Sequence, residues 1–174
     1  MTDSPTPIRI AQVLGITGTA ALAGVSFAIS GLVIPRILES PTPLLLRQWQ
    51  HLYDTAKMTV PPLAVVCASS LLYVAYDAHQ RTATVVPHQW KAYVASALLA
   101  LGIVPYTLLV IMPINKRLWR KVKETRHLAA TDTVVEAVGD ETAHALVDKW
   151  ATVNVGRATL LGAAAITAAW IALE

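Results

Sequence analysis

Apolar positions along this chain form long unbroken runs, with the polar residues gathered between them. Residues 10–35, 58–76 and 92–115 carry no charge at all, and 151–173 carries only Arg157. A membrane span takes about 20 mostly apolar residues to cross about 30 Å of hydrocarbon. The pattern therefore predicts an all-α, integral membrane four-helix bundle, a single four-span domain over residues 1–174.

Ala21-Leu22-Ala23 resembles a processing site inside the first run. The run continues well beyond it and exceeds the apolar core of a secretory signal, so a retained span is expected. Before the fourth span, Thr133 with Glu136 fits a capping box, and Gly139 breaks that short helix. Asp140 then suits the cap of a helix that starts at Glu141 and runs to Leu173. Such a helix is roughly 50 Å long and must extend past the bilayer, which predicts a cytosolic helical extension.

Proline and small residues refine the picture. Pro61-Pro62 suits the first turn of the second span, where missing amide donors cost least. Pro105 lies inside the third span and is expected to kink it. Ala20, Gly24 and Ala28 on the first span, and Ala164 and Ala168 on the fourth, form faces suited to close helix packing.

Composition agrees with a membrane protein: 55% of residues are hydrophobic and 14% charged, against roughly 25% charged in soluble domains. Cys67 is the single cysteine, which excludes an internal disulfide and a CxxC redox pair. Lys and Arg set the orientation. Arg36, Arg47 and Lys57 follow the first span, and Lys116, Arg117, Arg120, Lys121, Lys123, Arg126 and Lys149 follow the third. The other face has only Arg9, Arg81 and Lys91. The basic loops are thus expected in the cytosol, with both termini lumenal or external. "KRLWRKVK" stands directly after a span, so it needs no nucleic-acid partner to explain it.

The fourth span raises the chemical question. Leu146, Trp150, Asn154, Arg157 and Leu161 fall on one helical stripe. Trp150 and Arg157 fit an interfacial belt in which the guanidinium snorkels outward. Asn154 has no stem with which to snorkel and points instead to a face turned inward. The loop "LLRQWQHLYDTAKMTVPPLA" brings Arg47, Trp49, His51, Tyr53, Asp54 and Lys57 to the same end, as does Asn115 at the exit of the third span. Two arrangements remain open: an apolar pocket with a polar mouth, or ordinary loop chemistry at a membrane face. No HExxH, P-loop or dinucleotide fingerprint occurs, and no facing histidine pair suits haem.

Three motifs resemble the fungal anthrone oxygenase family of four-span membrane proteins. "RQWQHLYDTAKMTVPPLA" (47–64) is similar to its Arg-Gln-Trp, Tyr, Lys and Pro pattern. "MPINKRL" (112–118) resembles its Pro-x-Asn-x-x-Leu, with Lys116 departing from a common second Asn. "WATVNVGR" (150–157) matches its Trp-x-x-x-Asn-x-x-Arg. The resemblance implies a monooxygenase of polyketide secondary metabolism that oxidises an anthrone to an anthraquinone with molecular oxygen, using no cofactor and no metal.

Under that expectation Arg157 stabilises an oxyanion, with Asn154 and Asn115 as hydrogen-bond donors and His51 as base, Asp54 second. Trp150, Trp49, Tyr53 and Lys57 would contact the substrate. The implied partners are an apolar tricyclic polyketide and membrane lipids, with homo-oligomerisation left open and an internal membrane such as the endoplasmic reticulum as the location. The rival class is a non-enzymatic four-span scaffold or lipid-binding protein. A pocket of several hundred Å³ speaks for the enzyme, whereas Arg157 packed on a carboxylate speaks for the scaffold. A transporter fits less well, since no inverted repeat is visible.

Overall fold

In a computed structural model, which describes residues 5–80, 89–132, 134 and 141–173, four long helices carry the apolar runs. They are α1 (Thr6–Ile37), α2 (Thr42–Gln80), α3 (Gln89–Thr125) and α4 (Ala143–Ala172), each long and apolar enough to cross a membrane. Each packs on its neighbours in chain order, and α4 closes the ring on α1. The expected all-α four-helix bundle is therefore present, but every helix overruns its charge-free core.

The largest difference lies between the first two spans. The stretch read as a loop is the first half of α2, which starts at Thr42 with Pro43 in its first turn. Leu45, Leu46 and Trp49 are fully buried at helical spacing, while Arg47 and His51 face outward. The charges had masked this amphipathic period. Pro61 and Pro62 consequently sit inside a helix instead of starting one. They withhold the amides that would reach the Lys57 and Met58 carbonyls.

Two π turns interrupt the other spans. In α1 the turn covers Ile29–Val33. In α3 the helix is broken at Gly102, passes Pro105, and widens into a π turn over Thr107–Ile111. The expected disturbance at Pro105 is thus a local rewinding of a whole segment. Helix α2 packs on α3 along Gln89–Leu101 and again along Met112–Thr125, and the two part around the rewound turn.

The core divides accordingly. One apolar cluster, including Leu71, Ala97, Leu161 and Ala164, fills the end away from the basic residues. A second, including Ile34, Leu46, Trp49, Leu118 and Leu146, fills the basic end. Ala164 and Ala168 are fully buried, as expected of a packing face. Ala20 and Gly24 are not: that stripe points outward, and Gly15, Thr19, Ser26 and Ser30 form the buried face of α1. Gly15 and Gly18 meet α2 closely, since a methyl on either would strike Leu71 or Cys67.

Helix α4 is continuous, as expected, but its cap is Thr142, whose side chain accepts from the Ala145 amide at 3.1 Å. The proposed cap at Asp140 and the Thr133–Glu136 box lie outside the described residues. Glu141 pairs with Arg117 at 3.0 Å and Lys149 at 3.5 Å, tying the start of α4 to the basic end of α3.

Candidate active site

"WATVNVGR" occupies the part of α4 that lies against both π turns. Its polar residues are shared between them. The Asn154 amide donates to the Ser30 hydroxyl at 2.9 Å, within the π turn of α1, and to the Ser26 carbonyl at 3.0 Å, in the helical turn before it. Tyr106 reaches α4 from the other side and donates its hydroxyl to the Val153 carbonyl at 2.8 Å. Gly156 leaves room for that phenol.

Trp150 and Arg157 turn toward a cavity at the junction of the two apolar clusters. Helix α2 contributes Tyr53, Ala56, Lys57 and Pro61 to its wall, and α4 contributes Trp150 and Arg157. The remainder comes from α3, where Thr107, Leu108 and Ile111 belong to the π turn and Asn115 follows it. The cavity holds about 180 Å³, less than the several hundred Å³ expected of a ligand pocket. Its outer edge is open between α2 and α3, where Lys57, Val104 and Leu108 are exposed.

The wall is apolar apart from a few polar groups. Trp150 Nε1 donates to Asn115 Oδ1 at 2.9 Å, a bond between two of the sequence motifs. Among the described residues, three buried side-chain atoms have no partner: Trp49 Nε1, Asn115 Nδ2 and Arg157 Nε. All three are N–H donors. No carboxylate pairs with Arg157 among the described residues. A buried donor without an acceptor costs about 1–3 kcal/mol, more when charged, and a catalytic role or a bound acceptor is one explanation for keeping such a cost.

The expected site residues are therefore only partly gathered. Arg157, Asn115, Trp150, Tyr53 and Lys57 share the cavity wall. Trp49 stands behind it, stacked on Tyr53 with centroids 5.3 Å apart and edge-on to Trp150 at 6.4 Å. Asn154 faces α1, and His51 is exposed on the outer side of α2. Asp54 is not on the wall; it holds Lys57 at 2.7 Å. Thr107, Ile111, Tyr106 and Trp119, which stacks edge-on to Tyr53 at 6.1 Å, were not foreseen. Pro105 was the available sign that this uncharged stretch would depart from a plain helix. Among the described residues no three His, Cys, Asp or Glu side chains gather where they could share a metal ion.

The residues that build this cavity fall within the segment, 49–167, that matches the sequence profile described as anthrone oxygenase. The chain belongs to the anthrone oxygenase family. It is 34% identical to anthrone oxygenase nsrD of Aspergillus novofumigatus over 78% of this chain and 76% of that protein. It is 28% identical to anthrone oxygenase AgnL2 of Paecilomyces divaricatus over 86% of this chain and 87% of that one. Monooxygenase hypC of Dothistroma septosporum is 30% identical over 82% of this chain and 71% of its own length. No solved structure matches. Within the family's shared segment, all three motifs meet at one cavity, and two of them through the Trp150–Asn115 bond.

Proposed function

We propose that this protein is a membrane-bound oxygenase that converts a polyketide anthrone and molecular oxygen to an anthraquinone and water, with no metal or flavin. The observation that carries the reading is the buried Arg157 Nε, unpaired on the wall where the three motifs converge. Family membership supports the substrate class, as do the names of the relatives.

The chemistry asks little of the protein beyond binding and charge stabilisation. An anthrone's central CH₂ is acidic because its loss of a proton makes the middle ring aromatic. The resulting anion passes one electron to oxygen, and the two radicals recombine to a C–O bond. The hydroperoxide then loses its remaining C–H proton as the O–O bond breaks, giving the ketone and water. Negative charge develops on the tricycle's oxygen, where Arg157 and the Asn115 amide act as fixed donors in a site with little water. Tyr53 and Trp150 flank the rings, and Lys57 stands at the mouth.

The opening between α2 and α3 suits a hydrophobic substrate that arrives from the bilayer, in an internal membrane with the basic loops cytosolic and both termini lumenal. The scaffold alternative draws no support from Arg157, which pairs with no carboxylate among the described residues. Purified protein in detergent, supplied with several anthrones and oxygen, is expected to form quinone well above the spontaneous rate. No acceleration with any tricycle would refute the proposal.

A further inference from the structure

The Trp150–Asn115 bond decides which way the Asn115 amide faces. An indole N–H can only donate, so it fixes Oδ1 on its own side, and Nδ2, on a residue of the cavity wall, is left buried without a partner. Asn115 is 1% exposed, so bulk solvent does not satisfy that donor. Arg157 Nε lies on the same wall, also buried and also unpaired. The remaining titratable groups on the wall are Tyr53 and Lys57 from α2. Lys57 donates to Asp54 at 2.7 Å, outside the wall. Tyr106 on α3 spends its hydroxyl on the Val153 carbonyl. Among the described residues none of α1 lines the cavity, and neither a carboxylate nor an imidazole does.

We infer that the cavity binds its ligand as an aromatic oxyanion, an enolate or phenolate, and that Trp150 positions Asn115 for this, without a carboxylate or imidazole base among the described wall residues. The inference rests on the proposed anthrone chemistry for its substrate class. The ionisation itself is a proton transfer from the ligand's C–H or O–H to water or hydroxide. The electron pair stays on the ligand oxygen between the guanidinium and the amide, and nothing is oxidised or reduced in this step. The two unpaired buried polar atoms on the wall residues are both donors, which makes that anion the better-bound form, so the ligand becomes a stronger acid in the cavity. The general base that this chemistry ordinarily recruits from a side chain is then replaced by a shift in the ligand's own ionisation.

The probe is 2-hydroxyanthraquinone, a tricycle of the same shape that is already oxidised at the central position and changes colour on ionising. Its absorbance is titrated with pH in the presence of purified protein in neutral detergent, and in empty micelles. The half-ionisation pH is expected to fall by about one unit or more on binding. Arg157→Leu should remove most of that shift. Trp150→Phe keeps an aromatic ring but frees the Asn115 amide to flip, and should remove part of it. Asn115→Leu in the Trp150→Phe background should then add little, because the two residues act through one donor.

A bound dye that ionises at the same pH as in empty micelles, or higher, would overturn the inference. So would a Trp150→Phe protein with the full shift. Turnover of anthrone is measured separately on the same preparation. An ionised dye without turnover contradicts the oxygenase reading and leaves the anion site standing. Turnover with a neutral dye contradicts the anion site alone.

Discussion

Tyr106 fits against the bare Cα of Gly156: a methyl at Gly156 would lie 2.6 Å from the phenol's Cζ, inside contact distance. The contact joins the rewound segment of α3 to the motif on α4 just before Arg157. Gly156→Ala must push the ring away, and overpacking of this kind costs about 1–3 kcal/mol. Tyr106→Phe removes the hydroxyl bond to the Val153 carbonyl and costs about 1 kcal/mol. Thermal unfolding in detergent should rank the two in that order. A Gly156→Ala protein as stable as the parent would contradict the close fit.

Asn154 spends its amide on Ser26 and Ser30. Asn154→Ala leaves two oxygens of α1 without that donor, and a loss of about 1–3 kcal/mol is expected. Ser30→Ala should lose less, because the Ser26 carbonyl keeps its bond. The activity of the folded fraction should persist in both, since the amide points away from the cavity. Loss of turnover at unchanged stability would return Asn154 to the catalytic set.

Leu108 is 57% exposed at the open edge of the cavity. Leu108→Trp should fold normally, because the larger side chain has room outside, yet crowd the entrance between α2 and α3. A rise in KM of roughly fivefold, about 1 kcal/mol at the entry step, is the expected result. Unaltered KM for bulky and slim tricycles alike would place the entrance elsewhere.

His51 was the sequence's best base by residue type, but it faces outward on α2. His51→Ala is expected to keep quinone formation within about twofold, against the 10²–10⁴-fold that a general base ordinarily contributes. Initial rates across neutral pH check this.

The apolar runs made four helices legible because nothing else spares so many consecutive residues from charge. The start of α2 and the far end of α3 were not legible, since charged residues on an amphipathic face look like a loop. Leu45, Leu46, Trp49 and Tyr53 carry the hidden helical period. At the site, Trp150 and Arg157 were readable from one stripe of α4, and Asn115 from topology. The split that sends Asn154 to α1 was not. A stripe gives a side chain's bearing only to within a wide arc, and the two π turns decide which neighbour each residue meets. The contribution of Thr107 and Ile111 depends on that rewinding, which no local sequence pattern beyond Pro105 announces.

The central claim is that the Arg157 guanidinium, whose Nε is buried without a partner on a residue of the cavity wall, stabilises the anion formed during anthrone oxidation. Arg157→Leu tests it most directly, because Arg157 has no carboxylate partner among the described residues and its removal strands no opposite charge. Initial quinone formation is measured for parent and variant after both give matching elution profiles and tryptophan fluorescence. The rate above the spontaneous background should fall by about 10²–10³-fold. A well-folded Arg157→Leu protein that makes anthraquinone at the parental rate would contradict the account.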